Sequence, residues 1–574
     1  MNNRAAQNND ISPIRWIFTA TKPYHGILFF LTLLSVAYAA VSLWNAVLLK
    51  DVIDVAVSGN REMLMCTAVV LALVSLLSLF LGLLSKYLRE RTSYQIHNNL
   101  QSQLFSILLQ KDYYYVTCLH SQEWMNRITA DSLTISDAVS KMVPGVVGIV
   151  FQFVGAMYLI ATAVPSFTAF ILIGGIFFVV LNYALRKSLK QAQRDIRNAI
   201  GQKNIYMSEH LSKLMIVKAF DREENAVANA DHKLVHMLNK KMRRLRLILI
   251  KDGIQDGATK IASVALIVYC AFKILINEMT YGTSIMLIRL MSQIKAPLTD
   301  VSTYISNIFD VSVAAERLME AESYPDDIEQ SAKDDAEIHD FYKNHFSEII
   351  FKDAGFSYLD ELEKDPNIRP TIFEHVDLII PKKSVVALTG ITGSGKSTIF
   401  KLLMSLYPLQ DGEKILGCKD GTEIPLNPTY RRLFAYVPQG NQLMAGTIRE
   451  MVSFGEKDTK DSDLWEVLET ACAKDFVESL PDGLNTEIGE RGLGLSEGQM
   501  QRLAIARALY TKRPILLLDE ATSSLDEDTE ERLLQNLKNL CDHTILIVTH
   551  RPKALSICDK EIHIDSDKVT IRNL

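Results

Sequence analysis

Six apolar stretches decide what the first half of this 574-residue chain can fold into. They cover residues 26–49, 63–84, 139–164, 167–185, 254–276 and 283–308, the last broken by polar residues. A helix of about 20 apolar residues crosses a bilayer core. Helices are the natural spanning form, because a backbone group left unpaired in lipid is costly. A buried helix of a soluble protein would carry an apolar stripe, whereas these stretches are apolar all round. Six spans are therefore expected, and an even count puts both ends of the chain on one side.

Lys and Arg orient the bundle. The segment 186–251 holds Arg186, Lys187, Lys190, Arg194 and Arg197, then Lys240, Lys241, Arg243, Arg244 and Arg246. The turns at 165–166 and 277–282 have none. Positive-inside reasoning puts the long connections, 85–137 and 186–252, in the cytoplasm with both termini. Their mixture of Gln, Asn, Lys and Arg with regular Leu and Ile suits amphipathic helices. Residues 11–24 combine Trp16, Phe18 and Tyr24 with Arg15 and Lys22, the mix of an interfacial helix, or of a plain tail.

Charge divides the chain at the same place. Residues 1–310 carry 31 of the 61 Lys and Arg but 20 of the 67 Asp and Glu, net +11, and the remainder is net −17. A basic half joined to an acidic half excludes a uniform chain. Seven scattered cysteines without a C-x-x-C pair argue against zinc and disulfides and for reduced thiols. The polar N-terminus has no signal-peptide layout, and no peptidase domain is expected ahead of the spans.

An acidic, polar stretch at 320–340 reads as a linker. Beyond it, the apolar run 385–389 reads as a buried strand. It leads into Gly390-Ile391-Thr392-Gly393-Ser394-Gly395-Lys396-Ser397, which fits the P-loop pattern at every fixed position, and a helix follows from Thr398 to Tyr407. The glycines let backbone N–H groups converge on phosphates. Lys396 would neutralise the β- and γ-phosphates of ATP, and Ser397 would coordinate Mg²⁺. A second apolar strand, 515–518, delivers Asp519 and Glu520 at its carboxyl end, where ligands of open α/β sheets sit. Asp519 suits the Mg²⁺ shell, and Glu520 suits polarisation of an attacking water. The plainer reading is a strand ending in a solvated acidic turn.

Together these residues resemble an ATP-binding cassette (ABC) transporter, specifically a half-transporter of the exporter type, over nearly the whole chain. Leu495-Ser496-Glu497-Gly498-Gln499 is similar to the signature LSGGQ, and residues 501–508 continue it as in the family. Gln439 resembles the Q-loop residue and Ser523-Ser524-Leu525-Asp526 the D-loop. His550 resembles the switch histidine, and Tyr358 the aromatic residue that stacks on adenine. Residues 486–492 are similar to a segment that exporters place beside the membrane domain. Val217-Lys218-Ala219-Phe220 with Glu223 resembles the exporter pattern in the second cytoplasmic connection. The regions 113–120 and 211–217 then correspond to coupling helices, although Lys218 and Tyr114 also read as ordinary amphipathic-helix residues.

The resemblance implies a six-helix all-α transmembrane domain over 1–320, a linker over 321–345 and an α/β P-loop ATPase domain over 346–574. It implies ATP bound by Tyr358, Gly390, Ile391, Thr392, Gly393, Ser394, Gly395, Lys396, Ser397 and Thr398. Mg²⁺ would be held by Ser397, Gln439 and Asp519, and catalysis would fall to Glu520, His550 and Gln439. Ser496, Glu497, Gly498, Gln499 and Asp526 would act in trans, on ATP held by a second half-transporter. The retained Lys396, Glu520, His550 and Ser496 favour a homodimer, while Glu497, in place of a signature glycine, keeps a heterodimer open.

The implied activity is ATP-driven export, by alternating access, of an amphipathic drug-like molecule, lipid or peptide from the cytoplasm or inner leaflet. The implied setting is a bacterial plasma membrane, with the cassette in the cytoplasm. An ATP-gated channel or regulator is the alternative. The spans argue against a soluble ATPase of the repair or chromosome-structure kind, so no nucleic-acid partner is expected. Lys273, Arg289 and Lys295 fall in the last two spans, where ionisable residues are functional candidates, and Arg289 and Lys295 on the last span would form a cavity wall facing cargo. Pairing with Asp256, Glu278 or Asp300, or snorkelling, is the other reading.

Overall fold

The structure is a computed structural model and describes residues 12–327, 333–358, 371–391, 393–440, 443–456, 458–489, 494–540, 542–565 and 568–574. Side chains are described over the same residues, except many within 166–186, those of 295–306 and three at strand ends. Two compact units emerge, Met1–Ser106 with Gln122–Ser323, and Ile107–Ser121 with Tyr324–Leu574.

The first unit is all helix. Its long helices are His25–Ser58, Arg61–Gln110, Ser121–Ala163, Pro165–Ser212, Glu223–Leu275 and Tyr281–Ser323. Among the described residues, the first, second, third and fifth are long and apolar enough to cross a membrane. The fourth and sixth expected spans lie on the other two helices, where many side chains are outside the described set. On the second helix Leu73, Leu76, Phe80 and Leu83 are each about 60% exposed. Their spacing of three and four residues lines one outward face, as lipid contact requires.

Small residues bring helices together in lipid, where apolar burial supplies no drive. A Cβ on Gly148 would lie 3.0 Å from Ser35 Cβ of the first helix. Leu43, Ala46, Ala156, Ile160, Leu266, Leu287 and Leu290 form the core of the unit. The third helix contains two π-turns, Arg127–Asp131 and Ala138–Met142. Each inserts a residue and turns the following side chains to a new face. Arg127 is buried there and pairs with Glu320 at 2.8 Å. The expected interfacial segment forms a helix, Pro13–Ala20, but Trp16 turns inward, its indole N–H donating to Glu322 at 2.8 Å. Ile14 and Phe18 form the exposed apolar side.

The second unit contains strands β1 (Phe346–Ser357), β2 (Thr371–Pro381), β3 (Val385–Gly390), β4 (Asp411–Cys418), β5 (Glu423–Pro425) and β6 (Phe434–Val437). The short pair β7 (Gly446–Thr447) and β8 (Glu487–Ile488) follows, then β9 (Ile515–Asp519), β10 (Thr544–Val548), β11 (Lys560–Asp565) and β12 (Lys568–Asn573). One sheet is antiparallel, in the order β2-β1-β4-β5. The other runs β12-β11-β3-β10-β9-β6, parallel from β11 to β6. Its central strands β3, β9 and β10 are buried at every residue, which explains their unbroken apolar runs.

Two boundaries differ from expectation. The segment expected as a linker over 321–345 is helical to Ser323 and again over Asp335–Asp340. Ile338, Phe341 and Tyr342 join the ATPase core, ahead of the expected start at residue 346. Their polar neighbours conceal these three apolar side chains in a reading by composition. Residues 107–121, assigned by sequence to the membrane domain, belong with the second unit. Lys111 pairs with Asp326 at 2.8 Å, and the Asp112 N–H donates to Pro325 O at 2.9 Å.

Candidate nucleotide site

Four neighbouring strands of the parallel sheet end at one edge, each followed by a residue singled out by sequence. The P-loop follows β3, His550 follows β10, Asp519 closes β9 ahead of Glu520, and Gln439 follows β6. The carboxyl edge of an open α/β sheet is where such folds bind ligands.

The P-loop turns on glycines that no other residue replaces cheaply. Gly390 has φ of 143°, and a Cβ there would fall 2.2 Å from Ile564 O of β11. Gly395, at 88°, precedes the helix Lys396–Leu403, so the helix begins with backbone donors facing the loop. Lys396 is 7% exposed, and its Nζ donates to Gly390 O at 2.8 Å and Ile391 O at 2.9 Å. Burial lowers its pKa, while Glu520 and Asp519 act in the opposite sense. The buried Ser394 hydroxyl has no partner among the described residues. Thr392 lies outside the described residues.

Asp519 is 2% exposed, and burial holds its carboxyl above the usual range, against hydrogen bonds from Ser397 and Tyr436. Ser397 Oγ donates to Asp519 Oδ1 at 3.0 Å, and Tyr436 OH to Oδ2 at 3.2 Å. Glu520 has φ of 50°, an uncommon conformation for a residue with a side chain and one found at functional sites. Its N–H donates to Val548 O of β10 at 3.2 Å, and its Oε2 accepts from Gln439 Nε2 at 2.7 Å. The geometry thus joins Ser397 to Asp519 and Gln439 to Glu520. His550 is exposed and joins neither pair.

Tyr358 follows β1, and its OH lies 3.1 Å from Thr398 Oγ1. Its ring meets Tyr407 edge-on, with centroids 5.4 Å apart. Tyr407 in turn meets Tyr113 at 5.7 Å and Tyr114 at 5.8 Å, both within the 107–121 segment. Sequence reading missed Tyr407 and Tyr436. Tyr436 lies three residues before Gln439, and Tyr407 ends the helix expected after the P-loop.

The signature residues open the helix Glu497–Tyr510. Ser496 and Gln499 form a capping box, in which the Ser496 N–H donates to Gln499 Oε1 at 2.8 Å. Glu497 is exposed on the first turn. A Cβ on Gly498 would lie 2.8 Å from Ser524 O, so a glycine lets signature and D-loop touch. Asp526 caps the helix Glu527–Lys538 by accepting from the Thr529 N–H at 3.0 Å. Arg551 holds the D-loop from the far side, donating to Leu525 O at 3.1 Å and to Glu530 at 2.7 Å. Part of the segment 486–492 lies outside the described residues, as does the Lys295 side chain, and Arg289 is exposed. Lys273 pairs with Glu278 in the turn before the last helix.

Two stretches of the chain match known families. Residues 27–298 match the ABC transporter transmembrane region, and residues 373–523 match the ABC transporter family. A multidrug resistance ABC transporter ATP-binding and permease protein of Lactococcus lactis is 29% identical over 483 residues, 82% of this chain and 78% of that one. An ATP-dependent lipid A-core flippase of Idiomarina loihiensis is 25% identical over 566 residues, 96% of this chain and 93% of that one. In fold, the chain is similar to a bacterial Atm1-family ABC exporter with ATP bound. The TM-score is 0.78 at 19% identity, over 96% of this chain and 95% of that one. With a helical membrane region and an ATP-hydrolysing cassette fused on one chain, this protein belongs to the ABC transporters, as a half-transporter of the exporter type.

Proposed function

We propose that two copies of this chain work as an exporter that uses ATP to move an amphipathic substrate out of the cytoplasm or inner leaflet by alternating access. The observation that carries the reading is the convergence of Lys396, Asp519, Glu520 and Gln439 at one sheet edge, on the same chain as apolar spans. Relatives named for multidrug resistance and for lipid A-core flipping support an amphipathic cargo.

Lys396 would exchange its loop carbonyls for phosphate oxygens. Glu520, held by Gln439, would accept the proton of the attacking water. Tyr358 would offer its ring to adenine, and Ser496 and Gly498 would approach ATP held by the other copy. Ser397 and Asp519 supply adjacent oxygen donors for Mg²⁺, and Gln439 keeps its carbonyl oxygen for the same use. Mg²⁺ bound there would neutralise charge on the phosphates. Among the described residues no group of three or more His, Cys, Asp and Glu could hold a metal alone, which fits an ion completed by phosphates and water.

The second cytoplasmic connection supports a dimer. Its short helix Leu214–Ala219 carries Leu214, Met215 and Ile216, and Phe220 follows; all are exposed, an apolar patch of the kind that a partner covers. The expected setting is a bacterial plasma membrane. The test is ATP-dependent uptake of fluorescent amphiphiles into inverted vesicles, with substrate-stimulated ATPase in lipid nanodiscs. Uptake that needs ATP hydrolysis supports a pump. Flux down a gradient, gated by ATP without turnover, would support the channel reading instead.

A further inference from the structure

A cavity of about 320 Å³ in the first unit lies outside every site considered above. Tyr38 of the first long helix, Gly82, Ser85, Lys86, Arg89 and Glu90 of the second, and Lys141 of the third line it. Lys141 sits in the π-turn Ala138–Met142. Three of the lining side chains are cationic and one is anionic.

Two of the cations are held in place. Lys141 Nζ lies 2.8 Å from Glu90 Oε2 and 2.9 Å from Asp137 Oδ1. Arg89 donates to the buried Ser35 hydroxyl at 2.7 Å. Lys86 is exposed and has no carboxylate partner among the described residues. Even with Asp137 counted, the cluster keeps a net positive charge. Ser85 is 5% exposed, and its hydroxyl has no hydrogen-bond partner among the described residues. A buried hydroxyl with no partner is destabilising, so an unused donor on a cationic cavity wall points to an anion that completes it.

Position narrows the anion. The cavity begins where the apolar run 63–84 of the second helix ends. On the membrane side of Gly82 the second helix is apolar, and Leu76 and Leu79 are each about 60% exposed. A ligand there meets cations at one end and apolar surface at the other. Ionisable groups at membrane depth are costly and mark ligand sites, and Arg and Lys suit phosphate oxygens.

We propose that this cavity binds the phosphate headgroup of an anionic inner-leaflet lipid, with the acyl chains lying along Leu76 and Leu79. The site rests on the membrane placement of the helices and does not depend on which cargo is exported.

Native mass spectrometry of the full chain, supplied with phosphatidylglycerol or phosphatidylcholine at equal concentration, tests the site. The wild type should retain phosphatidylglycerol preferentially. Lys86→Gln with Ser85→Ala should weaken that retention about tenfold, while Glu90→Gln, which removes the lining anion, should strengthen it. Equal retention of the two lipids, or variants indistinguishable from wild type, would overturn the assignment. Displacement of the lipid by millimolar inorganic phosphate would assign the site to a soluble anion and overturn it too. ATPase activity of the same samples is a separate readout. Lost lipid selectivity with ATPase intact would count against the lipid site alone.

Discussion

Glu520 combines a left-handed backbone, a hydrogen bond to Gln439 and a place at the end of β9. Glu520→Gln keeps the shape and removes the base, so steady-state ATPase should fall about 10²–10³-fold while photolabelling by an ATP analogue persists. Unchanged ATPase would sink the assignment. Gly390→Ala should act differently, because backbone oxygen of β11 cannot move aside for a Cβ. Fluorescent-nucleotide binding should be lost, with the membrane unit still folded. At this scale much was legible. The P-loop is contiguous in sequence, so spacing alone exposes it. Tyr436 was not legible as an Asp519 partner, because the contact joins two strands 83 residues apart in sequence.

Among elements, the antiparallel sheet carries a lysine whose titration is set by burial. Lys414 of β4 donates to Leu402 O at 2.9 Å and Ser405 Oγ at 2.8 Å. Burial, and after it Arg431, push its pKa from 10.5 down to about 7, with Asp112 opposing. Between those values the unfolded chain holds a proton that the folded chain has released, so this lysine makes stability rise with pH from about 7 to about 10. Below that window both states are charged, and the cost of burying the ammonium is fully present. Lys414→Met should flatten the rise in melting temperature, and an identical pH profile would refute the point. The chain of rings from Tyr358 through Tyr407 to Tyr113 and Tyr114 gives a second prediction. Tyr407→Leu should raise the KM for ATP several-fold and lower substrate-stimulated ATPase more than basal ATPase. Equal loss of both would indicate a merely structural ring. Composition could not anticipate either device, since both depend on which elements meet rather than on any local pattern.

For the molecule as a whole, the apolar patch at 214–220 offers a test of the proposed dimer. Met215→Glu should leave nucleotide binding to each chain unchanged and cut vesicle uptake at least tenfold, as a charge forced into a contact would. Uptake at the wild-type level would place the contact elsewhere. The division into a basic membrane half and an acidic ATPase half was legible because each solvent imposes its own composition. The true boundary was not, because residues 107–121 lie among the spans in sequence and with the cassette in space. That interleaving has a consequence for biosynthesis. Segment 107–121 leaves the ribosome more than 200 residues ahead of Asp326 and Tyr407, which it meets. At about 5–20 residues per second it waits some tens of seconds with its tyrosines uncovered. The ATPase domain therefore cannot finish as a self-contained bead at the end of the chain. Its last surface is closed by residues made early, so a cassette expressed alone from residue 324 would present Tyr407 and Asp326 to solvent.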